Sequence, residues 1–468
     1  MYFEQFYLTC LAHASYMIGS GGEAAVVDPQ RDVDIYLKAA EEQNLKIRHI
    51  FETHLHADFV SGHKELAART GAKIYIGAQA AASFPHVALR DGSEITLGSV
   101  RMRALETPGH TTESVCLVVI DEEKSSQPWA VLTGDTLFIG DVGRPDLSRN
   151  HTPQQLAGLL YDSLHQKLLA LPDATLVYPA HGAGSLCGRA MRAEKSSTIG
   201  TERLTNYALQ IASREEFIRQ LTTNLPTRPD YFLEDAEINR SGAPPLKELA
   251  PLVALTPEEV QTLLKQGAWV LDVRPGEQFA AEHVPGSINI ALSGQFASWA
   301  GGILGIHANP VLVAETDAQI EEARLRLTRV GMEEVRGYLT GGVAAWKKAG
   351  LHAPQTPQIS VQELNENLSA GGYDVLDVRR EGEFQAGHIA QAEWHALDAF
   401  PQRLPKLTLD KNRPVAVHCK SGYRSMIACS LLERAGHRNV VNVTGGFDAW
   451  HAAGLPESSS QLSVVSSQ

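Results

Sequence analysis

Residues Thr53–His63 read THLHADFVSGH, and this stretch decides how the first half of the chain is interpreted. His54, His56 and Asp58 have the spacing of a metal-binding loop. Imidazole and carboxylate groups together suit zinc or iron. Phe59 comes directly after Asp58, and its phenyl ring cannot bind a metal. The stretch therefore predicts a metal site in which one neighbouring position is closed to ligation.

Three further segments carry candidate ligands, each after a β-rich run. His110 lies in TPGHT, Asp135 in LTGDT and His181 in YPAHG. An isolated histidine is more often a surface or core residue than a ligand. Four such segments in this order make chance an implausible explanation. They predict one metal site built at the ends of several strands.

These four segments resemble the metallo-β-lactamase superfamily, which implies an αββα sandwich over residues 1–240. Hydrolytic members such as glyoxalase II hold two metals, the second bound by an Asp-His pair that is Asp58-Phe59 here. Members of the persulfide dioxygenase branch keep a single iron. Their pattern implies one Fe(II) per chain, held by His54, His110 and Asp135. It places His56, Asp58 and His181 around the metal, where they orient ligands or substrate.

The stretch IGDVGRPDL, Ile139–Leu147, also resembles the persulfide dioxygenase branch. Arg144 could form a two-pronged contact with a carboxylate of a thiol carrier, or could bridge carboxylates of its own loop. Cys187 follows His181 closely and is either a pocket residue or a plain buried cysteine. Tyr178 is a further candidate for substrate binding.

The last 200 residues contain an internal repeat. WVLDVRPGEQFAAEHVPGSINI, from Trp269, recurs as DVLDVRREGEFQAGHIAQAEWH, from Asp374. LTGGVAAWKKAGL, from Leu339, recurs as VTGGFDAWHAAGL, from Val443. The nearly constant offset predicts two tandem copies of one α/β domain with a parallel sheet. The expected domains are residues 241–354 and 355–456, followed by a disordered tail at 457–468.

The second copy contains a candidate nucleophile. The strand PVAVH leads into CKSGYRS, which begins at Cys419 and precedes a helical pattern. Backbone N–H groups and the positive end of the helix dipole favour a thiolate there, as do Lys420 and Arg424. With LDVR, GHI and TGGFDAW, this copy resembles a rhodanese domain, which implies that Cys419 carries sulfur. Cysteine phosphatases have a similar loop, but one residue longer.

The first copy has lost this loop. Glu315 stands where Cys419 stands in the second copy, and Asp317, Glu321 and Glu322 follow. An acidic loop offers no nucleophilic sulfur and repels sulfite. We therefore expect a pseudo-rhodanese domain that acts as a scaffold, a docking surface or the wall of a channel.

Composition limits the partners and the compartment. The formal net charge of −13 over 468 residues argues against nucleic acid or an anionic membrane as the main partner. Five cysteines in so long a chain predict a reducing compartment, the cytoplasm, rather than a disulfide framework. No signal peptide or membrane-spanning stretch is expected. A homo-oligomer is expected.

The domain order as a whole resembles multidomain persulfide-oxidising sulfurtransferases. That resemblance implies oxidation of a small thiol persulfide by O₂ to sulfite, and transfer of sulfur by Cys419 to sulfite to give thiosulfate, in sulfide detoxification. One alternative is a zinc thioester hydrolase of the glyoxalase II type fused to sulfur-transfer modules. The other is a non-enzymatic protein that binds or senses sulfur compounds.

Overall fold

The chain folds into two compact units in the computed structural model, which describes residues 1–223, 225, 227–368, 371–407 and 409–459. The first unit holds Met1–Leu249 and Leu327–Gly331. The second holds Ala250–Arg326 and the described residues from Met332 onward. Within the described residues, no helix is both long and apolar enough to cross a membrane.

Two six-stranded sheets form the centre of the first unit. The first sheet runs in chain order, β1 Tyr2–Leu8, β2 His13–Ser20, β3 Glu23–Val27, β4 Lys46–Glu52, β5 Lys73–Gly77 and β6 Val87–Leu89. The second sheet contains β7 Glu94–Leu97, β8 Val100–Glu106, β9 Val115–Asp121, β10 Ala130–Gly134, β11 Leu176–Pro179 and β12 Ser197–Thr198, and each of these strands is hydrogen-bonded to the next one in the chain. The pairs β3–β4, β4–β5, β5–β6 and β10–β11 are parallel, and the other neighbouring strands are antiparallel.

In the part of this unit that the structure describes, six helices accompany the two sheets, and all except the last pack on their outer faces. They are α1 Asp34–Glu42, α2 His63–Thr70, α3 Pro153–Gln166, α4 Ile199–Thr205, α5 Arg214–Thr222 and α6 Phe232–Ser241. One apolar core contains residues of both sheets, including Phe51 and Leu117. Separate cores join the first sheet to α1 and α2, and the second sheet to α3 and α5. These layers confirm the predicted αββα sandwich.

The first unit is longer than the predicted 1–240. Helix α6 and the segment after it pack back onto the metal loop and helix α2. The backbone N–H of Leu246 donates to Glu65 Oε2 at 3.0 Å, and the Arg31 guanidinium donates to the Pro244 carbonyl. The Pro-rich segment that suggested a linker is therefore partly integrated into the first unit.

The second unit contains the two repeated domains, each with five parallel strands in its sheet. The first copy has β13 Ala254–Leu255, α7 Pro257–Lys265, β14 Val270–Asp272, α8 Gly276–Ala281, β15 Ile288–Asn289, α9 Phe296–Leu304, β16 Val311–Val313, α10 Asp317–Thr328, β17 Gly337–Leu339 and α11 Gly342–Lys348. Its strand order is β13-β17-β16-β14-β15. Strands buried on both faces account for the continuous apolar runs in this half of the sequence.

The second copy repeats this arrangement and adds two short strands that pair with each other. It has β18 Gln358–Ile359, α12 Val361–Leu368, β19 Asp374–Asp377, α13 Glu381–Ala386, β20 His388–Ile389, β21 Ala392–Trp394, α14 Phe400–Arg403, β22 Val415–His418, α15 Tyr423–Arg434, β23 Val440–Val443, α16 Gly446–Ala452 and β24 Glu457–Ser458. Its sheet order is β18-β23-β22-β19-β21. The same order in both copies confirms the duplication inferred from the repeat.

Strand β24 lies in the segment that was predicted to be a disordered tail. Glu457 and Ser458 pair antiparallel with Ile389 and His388, which gives their backbone groups partners. The predicted disorder from residue 457 is therefore wrong at these two positions. Residues 460–468 lie outside the described residues.

Candidate metal centre and cysteine loop

The candidate ligands come from the ends of four strands of the first unit. His54 follows β4, His110 follows β8, Asp135 follows β10 and His181 follows β11. Gly134, at the end of β10, lies against Thr53 of the metal loop, where only glycine fits. A Cβ on Gly134, whose φ is +51°, would lie 2.6 Å from Thr53 Oγ1. The close approach of the β10 end to the metal loop brings Asp135 to the histidines.

The predicted ligands His54, His110 and Asp135 form one buried set. Their ligand atoms lie within 4.8 Å of one another. Asp135 Oδ2 is 3.3 Å from His110 Nε2 and 3.8 Å from His54 Nε2. Among the described residues, neither Nε2 atom nor either Asp135 oxygen has a hydrogen-bond partner. Buried polar atoms without partners are costly, and a cation would satisfy all of them, so these residues fit a metal ion.

Hydrogen bonds on the far side of each imidazole direct Nε2 towards this set. His110 Nδ1 lies 3.0 Å from the carbonyl oxygen of Arg144, which can only accept. Thr53 Oγ1 donates to Asp28 Oδ2 and therefore accepts from His54 Nδ1, 3.0 Å away. With Nδ1 protonated, the neutral ring presents the Nε2 lone pair to a metal. Burial, above all, lowers the pKa of both histidines and favours that neutral form.

A glycine of the IGDVGRPDL stretch allows this arrangement. A Cβ on Gly143 would lie 1.9 Å from the Asp135 carbonyl oxygen and 2.8 Å from His110 Nδ1. Both contacts are impossible for a real side chain. The glycine lets the loop pass closely enough for the Arg144 carbonyl to reach His110.

A second buried donor set lies beside the first. The ligand atoms of His56, Asp58 and His181 also lie within 4.8 Å of one another. His181 Nε2 is 3.4 Å from Asp58 Oδ2 and 3.7 Å from Asp135 Oδ1. Burial alone lowers the pKa of His181, but the carboxylates of Asp135 and Asp58 raise it to about 9. The structure thus brings together all six histidine and aspartate residues singled out in the sequence.

Phe59 packs among histidines rather than in an ordinary apolar core. Its ring centroid lies 4.4 Å from that of His56 and 4.1 Å from that of His13. His13, on β2, is fully buried, and neither of its ring nitrogens has a hydrogen-bond partner among the described residues. The sequence reasoning missed His13 because a single histidine in a strand carries no motif.

Two other polar residues that support the metal loop were also missed. Asp28 ends β3 and accepts from the Thr53 backbone N–H at 2.7 Å, while its Oδ1 lies 3.1 Å from His56 Nε2. Asn239, on α6, donates to the carbonyls of His56 and Phe59, both at 2.7 Å. The VVDP strand end could have indicated Asp28. Nothing local in the sequence indicates Asn239, which reaches the loop from far along the chain.

The remaining predicted pocket residues have different environments. Arg144 makes a two-pronged ion pair with Asp146, with distances of 2.6 and 2.8 Å, and donates to the Leu186 carbonyl. Within the described residues its guanidinium therefore matches the loop-bridging alternative. Tyr178 packs against the rings of Phe3 and Tyr16 in the core between the sheets, and this position does not support the prediction that it binds substrate.

Cys187 does lie at the candidate centre. Its sulfur belongs to a third group of close ligand atoms, with Asp135 and His181. Burial, followed by the charges of Asp58 and Asp135, raises the pKa of the Cys187 thiol well above its ordinary value. The residue is therefore a neutral thiol beside the candidate metal ligands rather than a free thiolate.

A cleft of about 280 Å³ lies next to the metal loop. Its walls include Leu55 and Ala57 from that loop, Thr111 beside His110, and Arg149 and His151 from the segment after IGDVGRPDL. The cleft thus adjoins both the metal loop and the segment that carries His110.

In the second copy of the repeat, Cys419 lies between β22 and α15 as predicted. The Gly422 backbone N–H donates to Cys419 Sγ at 3.1 Å, and Ser425 Oγ lies 3.6 Å from the sulfur. Gly422 has φ +114°, which favours glycine. The Ser425 hydroxyl donates to Asn442 Oδ1 at 2.7 Å, so the Gly422 amide is the donor that supports negative charge on the sulfur.

The two predicted cations of this loop differ. Lys420 is exposed. Arg424 forms a two-pronged ion pair with Glu383, both bonds 2.7 Å long. The charge of Arg424 is therefore largely compensated by Glu383, which the sequence reasoning did not include. The exposed Lys420 is the better placed of the two to attract an anion from solvent.

The corresponding loop of the first copy is closed by its own side chains. Arg274 Nη1 lies 3.2 Å from Glu315 Oε1. Gln319 Oε1 accepts from the backbone N–H groups of Glu315 and Thr316 at 3.0 and 3.2 Å. The amides that would hold an anion are thus already occupied.

The fold and these two sites define an αββα domain with a candidate metal centre, followed by two copies of one α/β domain, of which the second carries a cysteine in its strand–helix loop. The family model "Metallo-beta-lactamase superfamily" matches residues 8–181, and "Rhodanese-like domain" matches 256–349 and 360–453. The chain belongs to the metallo-beta-lactamase superfamily and carries two tandem rhodanese-like domains.

Similar proteins include a hydrolase and a dioxygenase. The chain is 30% identical to the hydroxyacylglutathione hydrolase of Rhodospirillum rubrum, over 52% of this chain and 89% of that protein. It is also 30% identical to the mitochondrial persulfide dioxygenase ETHE1 of Bos taurus, over 45% of this chain and 77% of that protein. A crystal structure of a metallo-beta-lactamase from Staphylococcus aureus is similar with a TM-score of 0.65 and 31% identity, covering 72% of this chain and 98% of that one.

Proposed function

We propose that the protein oxidises a small thiol persulfide with O₂ and transfers sulfane sulfur through Cys419. The observation that carries the proposal is the pairing, in one chain, of the His54–His110–Asp135 set with the Cys419 loop. Two imidazoles and one carboxylate are the facial ligands of non-haem iron oxygenases, which leave positions open for other molecules. The similarity to a persulfide dioxygenase and the rhodanese-like domains support the same assignment.

The first reaction would take place at the candidate metal centre. In balanced form it is RSS⁻ + O₂ + H₂O → RSH + SO₃²⁻ + H⁺. Iron bound by His54, His110 and Asp135 would supply the one-electron chemistry that O₂ needs. Thr53 and the Arg144 carbonyl hold the two imidazoles in their ligating tautomer. His181 Nε2 lies 3.4 Å from Asp58 Oδ2 and 3.7 Å from Asp135 Oδ1, a position suited to holding an anionic sulfur or donating a proton.

The second reaction would take place at Cys419. The thiolate attacks the outer sulfur of a persulfide, RSSH + Cys–S⁻ → Cys–SSH + RS⁻. The deprotonated cysteine persulfide then gives its outer sulfur to sulfite, Cys–SS⁻ + SO₃²⁻ → Cys–S⁻ + S₂O₃²⁻. The Gly422 amide supports the sulfur anion at both stages, and exposed Lys420 attracts sulfite.

The deciding experiment is O₂ uptake by the iron-loaded protein with several small thiol persulfides, with sulfite and thiosulfate quantified. We expect O₂ uptake that depends on persulfide, and thiosulfate as the main product when persulfide is in excess. Absence of persulfide-dependent O₂ uptake in protein shown to contain iron would contradict the proposal.

A thioester hydrolase is the second candidate, and one observation favours it. His56, Asp58 and His181 offer a second donor set even though Phe59 follows Asp58. Two metal ions in adjacent sites would suit hydrolysis, the reaction named for the hydrolase relatives. Metal analysis and hydrolysis of a glutathione thioester separate the two. Two zinc ions per chain and thioester turnover without O₂ uptake would establish the hydrolase.

A further inference from the structure

Helix α15, which begins at the Cys419 loop, packs along the first rhodanese-like copy. Tyr423, its first residue, donates its hydroxyl to the Ala291 carbonyl at 2.9 Å. In the middle of the helix, Ser430 Oγ accepts from the Asn289 backbone N–H at 3.1 Å. Asn289 ends β15, which lies at the edge of the first copy's sheet. The contacts supply partners to backbone groups that an edge strand otherwise leaves open.

The last turn of α15 is held by the same copy. Arg434 donates to the Gly286 carbonyl at 2.8 Å, and its guanidinium lies 4.3 Å from the centre of the Trp269 ring. Glu433 Oε2 lies 3.3 Å from His283 Nε2. Contacts at the beginning, the middle and the end of the helix fix its position along its whole length.

The contact at the beginning has a direct route to the sulfur. Tyr423 follows Gly422, whose amide donates to Cys419 Sγ. Gly422 has φ +114°, and as a glycine it has a wider range of backbone angles available than other residues. The hydroxyl anchor on the next residue restricts that freedom. Burial raises the pKa of the Tyr423 hydroxyl, which therefore remains a donor across the working pH range.

The first copy is built differently at the same position. Gln319 is the counterpart of Tyr423 and turns its amide oxygen into its own loop. Tyr423, at the loop with the cysteine, therefore reaches across to the other copy, whereas Gln319 does not. This asymmetry is expected if Tyr423 serves the sulfur site rather than the general packing of such a helix.

We propose that the first rhodanese-like copy is a positioning element of the Cys419 site, and that Tyr423, through its hydrogen bond to Ala291, holds the Gly422 amide on the sulfur. The copy without a nucleophile then has a defined role, because it fixes the loop of the copy that has one. Tyr423 is a positioning residue, because it acts through Gly422 and need not touch the substrate. The inference rests on the proposed function only in that Cys419 is the sulfur carrier.

The test uses Tyr423→Phe in the full-length protein, which removes one hydroxyl and keeps the ring. The rate of iodoacetamide alkylation of Cys419 is followed against pH by mass spectrometry of its peptide. We expect the pH midpoint to rise, and kcat for transfer of sulfur from thiosulfate to cyanide to fall about 3- to 10-fold, the range of one lost hydrogen bond. KM for thiosulfate should change little, because the anion-attracting Lys420 is untouched.

Ser430→Ala is the matched control. It removes a contact between the same helix and the same copy, but far from the sulfur. It should lower the unfolding temperature without moving the alkylation midpoint. An unchanged midpoint and kcat in Tyr423→Phe would overturn the proposal, and so would an equal shift in Ser430→Ala, which would indicate general helix docking.

The readouts also separate this inference from the proposed function. Alkylation does not depend on sulfur-transfer turnover. If the wild-type protein shows no sulfur transfer, the proposed function fails, while the alkylation midpoints of the two variants still decide whether Tyr423 positions the loop.

Discussion

The two rhodanese-like copies have the same strand order but satisfy the loop before their fourth helix in opposite ways. In the second copy, the Gly422 amide donates to Cys419 Sγ and Tyr423 reaches out to the neighbouring copy. In the first, Gln319 folds back onto the Glu315 amide. A loop of backbone N–H groups needs an acceptor, and either a cysteine sulfur or the side chain of a neighbouring residue can supply it. The first copy therefore keeps the same strand order with Glu315 in the place of the cysteine.

The largest effect should follow from Cys419→Ser. An alkoxide is unavailable at working pH, so sulfur transfer should fall at least on the order of 10³-fold. O₂ uptake should continue at a similar level, because the metal candidates lie in another unit, and sulfite should replace thiosulfate as the product. Ion chromatography of the products with an O₂ electrode measures both changes.

Glu315→Ser is the matched control at the same position of the first copy and should leave both activities intact. Enzymatic thiosulfate formation by Cys419→Ser, above the spontaneous reaction of sulfite with persulfide, would show that another residue carries sulfur. Cys187 would be the next residue to test.

Asp135→Ala should abolish the activity of the metal centre without affecting the rhodanese-like copies. The substitution removes the only carboxylate of the first donor set, so bound metal and O₂ uptake should be lost. Sulfur transfer from thiosulfate to cyanide should persist. Elemental analysis checks the metal, with Asp162→Ala as the control, since Asp162 is an exposed carboxylate of the same unit paired with Arg214. Retention of the full metal content would invalidate the assigned ligands.

The double variant Glu315→Cys, Cys419→Ser tests whether the first copy can be made active by restoring sulfur. We expect no turnover above Cys419→Ser alone. The backbone amides of Glu315 and Thr316 donate to Gln319. The new thiol would therefore lack the amide donors that stabilise a thiolate, although Arg274 would lie beside it. Cyanide–thiosulfate assays decide the matter, and measurable turnover would mean that the side chains around the sulfur matter less than argued.

The smallest effect concerns acid stability. Burial alone raises the pKa of Glu383, but its bonds to Arg424 lower that pKa below the ordinary value. The ion pair therefore stabilises the native state above the unfolded-state pKa of about 4.3, and this contribution is lost as pH falls through the lower native value. Because both groups are partly exposed, the contribution is about 1 kcal/mol or less.

Urea unfolding of Glu383→Gln and wild type at pH 7 and in acid measures this contribution. The difference in unfolding free energy should shrink as pH falls. Gln278 is the counterpart of Glu383 in the first copy, and Gln278→Ala should show a difference independent of pH. A Glu383→Gln effect that did not vary with pH would assign the stabilisation to packing.

Patterns along the chain predicted the features that depend on local sequence. The repeat offset predicted two copies of one fold, and strand ends predicted where His54, His110, Asp135 and Cys419 lie. Side-chain direction was not predictable: Tyr178 faces the core, and Arg144 turns to Asp146. His13 and Asn239 were missed because each reaches the metal loop from an element with no motif of its own.

The Asn239 contact has a consequence for how the protein is made. The carbonyls of His56 and Phe59 receive their donor from a residue about 180 positions later in the chain. During synthesis on a ribosome, the loop Thr53–His63 emerges long before that donor exists, and domains fold as their chain becomes available. The loop therefore reaches its final hydrogen-bonded form only after helix α6 has been translated. A chain stalled before residue 239 would carry the candidate ligands without the completed loop.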